Sequence, residues 1–182
     1  MTTHPCFMLA FSVPSPVTAA QVASLWAIRL AMICMVVVFA AEICGKAKTN
    51  RYVVMGWTLG ALLALGHSLG ALITFHDFNQ SEAFESTAQQ TEALIGIRVG
   101  AGLYVNYIFV AVWLFDAILR GIAPARYAQL PKFYAWAVNG FLVFIAINGA
   151  IVFKSGLIRG IGIACVAVLF ALWWRRPKRV QV

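Results

Sequence analysis

Five long apolar stretches dominate this chain: Val22–Cys44, Val53–Phe75, Val99–Leu119, Phe133–Phe153 and Leu157–Trp174. A helix crosses a bilayer with about 20 apolar residues, and each stretch is close to that length. Within a hydrocarbon layer the backbone can satisfy its polar groups only in helices or closed barrels. Barrel strands would alternate polar and apolar residues, and these stretches do not. The sequence therefore predicts an all-α integral membrane bundle of five transmembrane helices. Residues 1–21 are expected as a flexible N-terminal arm, 76–98 as an acidic outer loop and 175–182 as a basic cytoplasmic tail.

Composition agrees. Of 182 residues 62% are hydrophobic and 11% charged, against about 25% charged in an ordinary soluble domain. The net charge of +8 invites a nucleic-acid reading, but the distribution of the bases argues against it. Ten of the fourteen fall in three short segments: Lys46, Lys48 and Arg51; Arg120, Arg126 and Lys132; and Arg175, Arg176, Lys178 and Arg179. Basic connections stay cytoplasmic. The second connection carries Asp77, Glu82, Glu85 and Glu92 against Arg98 alone, which places it outside, with the N-terminus. Trp26 marks the outer boundary, and Tyr52, Trp57, Tyr134, Trp173 and Trp174 the inner one. The fourth connection breaks the pattern, since Lys154 and Arg159 fall on the predicted outer side. Either both cations reach the outer headgroups or pair with the acidic second connection, or the hairpin around Gly156 re-enters without crossing. Cys6, Cys34, Cys44 and Cys165 show no paired spacing; Cys34 and Cys165 read as small core hydrophobes.

The acidic connection has helical periodicity of its own. Ser81 is placed to cap a helix running to Ile95, with Phe84, Ala88, Thr91 and Ile95 on one face and Glu82, Glu85, Gln89 and Glu92 on the other. Such a helix would lie on the membrane surface.

Histidines are the first candidates for chemistry, since membrane redox proteins hold haem through them. His67 and His76 are nine residues apart in one span, about 13.5 Å of rise and half a rotation, so they cannot share one iron or zinc. No metal site and no cofactor are predicted within one chain. A haem would need His67 from two copies or a ligand from another subunit. His67 shares a helix face with Gly56, Gly60, Ala64, Ala71 and Thr74, small residues that admit a close neighbour.

Asp116 is a candidate proton relay, because an ionisable residue within a span is by default a functional hypothesis. It shares a stripe with Arg98, Gly102, Asn106, Phe109, Trp113 and Arg120. The competing reading is an interfacial salt bridge to Arg120 four residues on, repeated by Glu42 and Lys46. Arg29, His67, Asn106 and Asn148 come from four spans at similar depth, about 9–14 Å from the outer ends. They are expected to converge as a ligand-binding layer open to the outside. Phosphate-binding loops, H-E-x-x-H and nucleophile–base spacings are missing from the sequence.

The stretch His76–Asp116 (HDFNQSEAFESTAQQTEALIGIRVGAGLYVNYIFVAVWLFD) resembles a pattern in a family of small bacterial multi-pass membrane proteins. The matching residues are His76, Thr87, Ala88, Thr91, Gly100, Gly102, Tyr104, Asn106, Tyr107, Trp113 and Asp116. Where such proteins carry a second histidine, this chain has Asp77. The resemblance implies a bacterial cytoplasmic (inner) membrane setting and carries no activity with it.

The functional expectation is a non-enzymatic accessory, assembly or outward-facing binding component. Its partners would be the lipid bilayer and either other membrane subunits or further copies of itself. The alternative is an intramembrane redox (haem or quinone) or proton-transfer subunit using His67 and Asp116.

Overall fold

A computed structural model describes residues 18–176. The expected arm lies outside the described residues up to position 17, and the tail beyond Arg176. The elements are α1 (Ala19–Ile43), α2 (Arg51–His76), α3 (Gln80–Ile95), α4 (Gly102–Ile122), α5 (Pro124–Ala128), α6 (Lys132–Ile147), a one-turn π segment (Asn148–Val152) and α7 (Gly156–Trp174). Five helices are long and apolar enough to cross a membrane: α1, α2, α4, α6 with its π turn, and α7. No strand occurs among the described residues.

The boundaries have local causes. Thr18 and Gln21 form a reciprocal capping box, so helix begins inside the expected arm. Asn50 accepts from the Tyr52 amide to open α2. Asn79, rather than Ser81, opens α3 by accepting from the Ser81 and Glu82 amides. Asp77 and Phe78 adopt left-handed φ of 45° and 62°, which turns the chain sharply from α2 into α3. Pro124 ends α4, because the residue before a proline is pushed out of helical geometry; Ala123 has φ −129° and ψ 58°. The short helix α5 that follows was not expected from the sequence.

The core lies between α1, α2 and α4. Ala31, Met35 and Val38 of α1 meet Trp57, Ala61 and Ala64 of α2 and Phe109, Trp113 and Ala117 of α4. Gly60 makes this approach feasible: a Cβ there would stand 2.6 Å from the Trp113 ring. The rings of Phe39, Trp57, Trp113 and Phe109 follow one another at 5.2–5.5 Å between centroids, a spacing that favours tilted and edge-on aromatic pairs. α6 packs on α4, with Leu142 fully buried, while α7 packs on α1. The last two long helices thus pack on different helices of the core and are joined through the π segment.

α3 covers one end of the bundle, here called the acidic end; the other, with Lys46, Lys48, Arg51 and Arg126, is the basic end. The inward face of α3 is rotated from the expected one. Ala83 and Ala88 are buried, with Thr87 and Thr91 half-buried, while Ile95 is exposed. Phe84 lies against Gly100, which pulls that face towards the start of α4.

Candidate functional site

The most developed polar arrangement is at the basic end, and every long connection there contributes. Trp57 lies six residues from the start of α2 and Asp116 six from the end of α4, which gives them equal depths of about 9 Å in antiparallel helices. The Asp116 carboxylate is fully buried and accepts four hydrogen bonds. Its Oδ2 receives Trp57 Nε1 at 2.8 Å and Arg120 Nε at 2.6 Å. Its Oδ1 receives the Tyr127 hydroxyl at 3.1 Å and the Tyr134 hydroxyl at 3.0 Å. A carboxylate has about four lone-pair positions, so the group is saturated.

Arg120 is 1% exposed and carries the network onward. Its Nη1 donates to Glu42 Oε1 at 2.6 Å, and Lys48 Nζ stands 3.7 Å from the other Glu42 oxygen. The guanidinium lies over Trp57 at 4.4 Å and Tyr127 at 5.2 Å, contacts in which a cation meets the negative face of a ring. α5 exists in the right place to bring Tyr127 down on this assembly. Burial lowers the Lys48 ammonium pKa from its ordinary value, although Glu42 opposes that shift. The Tyr127 hydroxyl is pushed upward by burial, the largest influence, with Arg120 pulling the other way and Asp116 adding to the rise.

The expected pair Asp116–Arg120 forms, but as the buried centre of a network with five further partners and not as an interfacial bridge. The expected pair Glu42–Lys46 is replaced by Glu42–Arg120 and Glu42–Lys48. Arg120 reaches Glu42 because α4 brings it, dehydrated, against the end of α1. Sequence reasoning placed Trp57 and Tyr134 in an aromatic belt and passed over Tyr127. Matching the depth of Trp57 to that of Asp116 was the available signal.

His67 is part of the contact between α1 and α2. Its Nδ1 lies 2.9 Å from the Ser24 carbonyl and 3.2 Å from Ser24 Oγ, and the Ser24 hydroxyl donates to the His67 carbonyl at 3.3 Å. The other three members of the expected layer go elsewhere. Arg29 is exposed, its guanidinium 4.9 Å from the Trp26 ring centroid. Asn106 is exposed, above the buried half of the α4 stripe. Asn148 donates to the Phe144 carbonyl at 2.7 Å, spending its amide where the helix widens into the π turn. No hydrogen bond joins any two of the four, all of which are described residues. Shared depth, with His67 and Asn106 on the packed faces of their helices, predicts the convergence; Asn106 is instead exposed, and depth does not fix which way Arg29 and Asn148 face.

Among the described residues no group of three or more His, Cys, Asp or Glu side chains is arranged to hold a metal ion. A shallow groove of ≈ 380 Å³ runs between α2 and α4, with Leu65, Leu69, Leu72 and Leu114 among its lining residues. At the acidic end it is closed by the Tyr107 hydroxyl donating to Gln80 Oε1 at 3.1 Å.

No family model, curated protein or solved structure matches the chain.

Proposed function

We propose that the chain is a non-enzymatic multi-pass component of a bacterial cytoplasmic membrane, working against other membrane helices as an accessory or assembly subunit or as a homo-oligomer. The observation that carries this reading is α7, none of whose 19 residues is buried within the chain. α6 adds only Leu142 to the buried set. Two of the five candidate spans thus keep most of their surface for neighbours, and α7 carries Gly160, Gly162, Ala164, Ala167 and Ala171, small residues that permit close helix contact. Saturation of Asp116 supports a structural use of the buried Asp116–Arg120 ion pair. The split of the bases supports an outer N-terminus and a cytoplasmic C-terminus.

Cross-linking in native membranes tests the reading. Single cysteines replacing Ile163 and Val168, both about half exposed on α7, should cross-link to another membrane polypeptide or to a second copy. A chain that remains monomeric and uncross-linked at both positions sinks the proposal. A reporter fused after Val182 should be active only in the cytoplasm.

The second reading, proton transfer, is favoured by the continuous chain from Tyr134 and Tyr127 through Asp116, Arg120 and Glu42 to Lys48. His67 has no part in that chain of contacts. Loss of a proton-coupled activity in Asp116→Asn, with folding and abundance intact, would establish the second reading over the first.

A further inference from the structure

Four cations stand apart from the basic end: Arg29, Arg98, Lys154 and Arg159. All six carboxylates of the chain are described residues, and none forms an ion pair with Arg29, Lys154 or Arg159. Glu42 and Asp116 are engaged at the basic end, and Glu85 and Glu92 hold Arg98.

The fold brings Arg29 and Arg159 to one level. α7 packs on α1, and the register of the two is set where Arg176 donates to the Glu42 and Ile43 carbonyls at the end of α1. Counted from that tie, Arg29 lies about 21 Å up α1 from Ile43, and Arg159 about 25 Å up α7 from Arg176. The Arg29 side chain closes the difference. Its guanidinium sits over Trp26, three residues towards the acidic end, a displacement of about 4.5 Å. Both residues are exposed, on helices whose axes stand about 8–10 Å apart when packed. Lys154 is exposed in the turn that enters α7, two residues ahead of Gly156.

We infer that Arg29, Lys154 and Arg159 bind the phosphate of an anionic phospholipid in the leaflet at the acidic end. Guanidinium groups match phosphate oxygens in pairs, and a lysine adds a point charge. A lipid is the fitting source of that phosphate, because all three cations are exposed on, or at the end of, helices apolar enough to span a membrane, a surface that lipids cover. Trp26, 52% exposed beside Arg29, has the amphipathic character of a headgroup-level residue. The site also accounts for the two cations of the fourth connection, which the loop-charge pattern leaves unexplained. It requires a bilayer but no protein partner, so a monomeric result in the cross-linking experiment leaves it standing.

Native mass spectrometry of the full chain, released from bilayers of equal phosphatidylglycerol and phosphatidylcholine, tests the site. The native protein should retain phosphatidylglycerol preferentially, and Arg29→Gln with Arg159→Gln should lower that preference about tenfold. Lys154→Gln should lower it less, and Arg126→Gln, an exposed cation at the basic end, should leave it unchanged. If the double variant does not fold, Arg159→Gln alone carries the test, being on the exposed flank of α7. Excess inorganic phosphate should not displace the lipid. Equal retention of both lipids, an unchanged preference in the folded variants, an equal loss in Arg126→Gln, or displacement by inorganic phosphate would each overturn the inference.

Discussion

The two ends of the bundle handle charge in opposite ways. At the basic end, Asp116 and Arg120 are buried and every strong contact is internal. At the acidic end, Arg98 bridges Glu85 and Glu92 with all three side chains about half exposed, and Arg29, Lys154 and Arg159 face outward. Energetics differ accordingly. An exposed ion pair contributes about 0–1 kcal/mol, whereas stranding one partner of a buried pair costs about 3–5 kcal/mol. Where neither water nor headgroups reach, the fold must bring its own partners, and it does so from α1, α2, α4, α5 and α6 together. Where they do reach, single side chains suffice.

The sharpest test of that contrast is Arg120→Gln, which leaves Asp116 and Glu42 without their shared cation in a dry site. Stability in mild detergent should fall by about 3–5 kcal/mol, while Arg98→Gln at the acidic end should cost less than about 1 kcal/mol. Combining Asp116→Asn with Arg120→Gln should be no worse than Arg120→Gln alone. Equal melting of the Arg120 and Arg98 variants would erase the distinction between the ends.

Trp57→Phe comes next. It removes the indole donor to Asp116 and weakens the ring contact with Arg120, at about 1.5–3 kcal/mol for a hydrogen bond to a charged group. Thermal unfolding reads the loss directly.

Tyr127→Phe should cost about 1 kcal/mol, because Tyr134 still donates to the same carboxylate oxygen. This position also carries a pH signature. The folded-state hydroxyl ionises above its ordinary value of 10.0, so its contribution is complete below that pH. It is lost as pH rises further, since the unfolded chain ionises first. The native protein should therefore lose more stability above pH 10 than Tyr127→Phe, and identical alkaline profiles would remove Tyr127 from the network.

The smallest effect is expected at the acidic end of the core. Ser24→Ala removes a hydroxyl but leaves the Ser24 carbonyl for His67, so about 0.6 kcal/mol is the expected loss, typical of a polar contact between membrane helices. A loss comparable to that of Arg120→Gln would mean that the His67 contact, too, is a principal lock.

Five apolar helices were legible because length and composition alone mark them, and their ends fall within a few residues of the expected bounds. The Asp116–Arg120 pair was legible because its spacing lies within one helix. Its depth of burial was not, since that depends on α5 and on Trp57, brought in by contacts 59 residues apart in sequence. The layer of Arg29, His67, Asn106 and Asn148 shows the same limit from the other side. Counting along helices fixes height, but rotation about each axis is set by packing, and small faces such as that of Gly56, Gly60 and Ala64 reveal it on α2 far better than on α1 or α6.

The tie between Arg176 and the end of α1 has a consequence in time. The carbonyls of Glu42 and Ile43 belong to α1, and their side-chain donor is synthesised 133 residues after Ile43. The terminal carbonyls of a helix have no partner within it; the Gly45 amide serves that of Glu42 locally, whereas that of Ile43 is left for Arg176. That contact waits for α7 to arrive and lie alongside α1. A chain cut short before Arg176 would hold all of α1, α2 and α4 and still lack the residue that fastens α7 to α1.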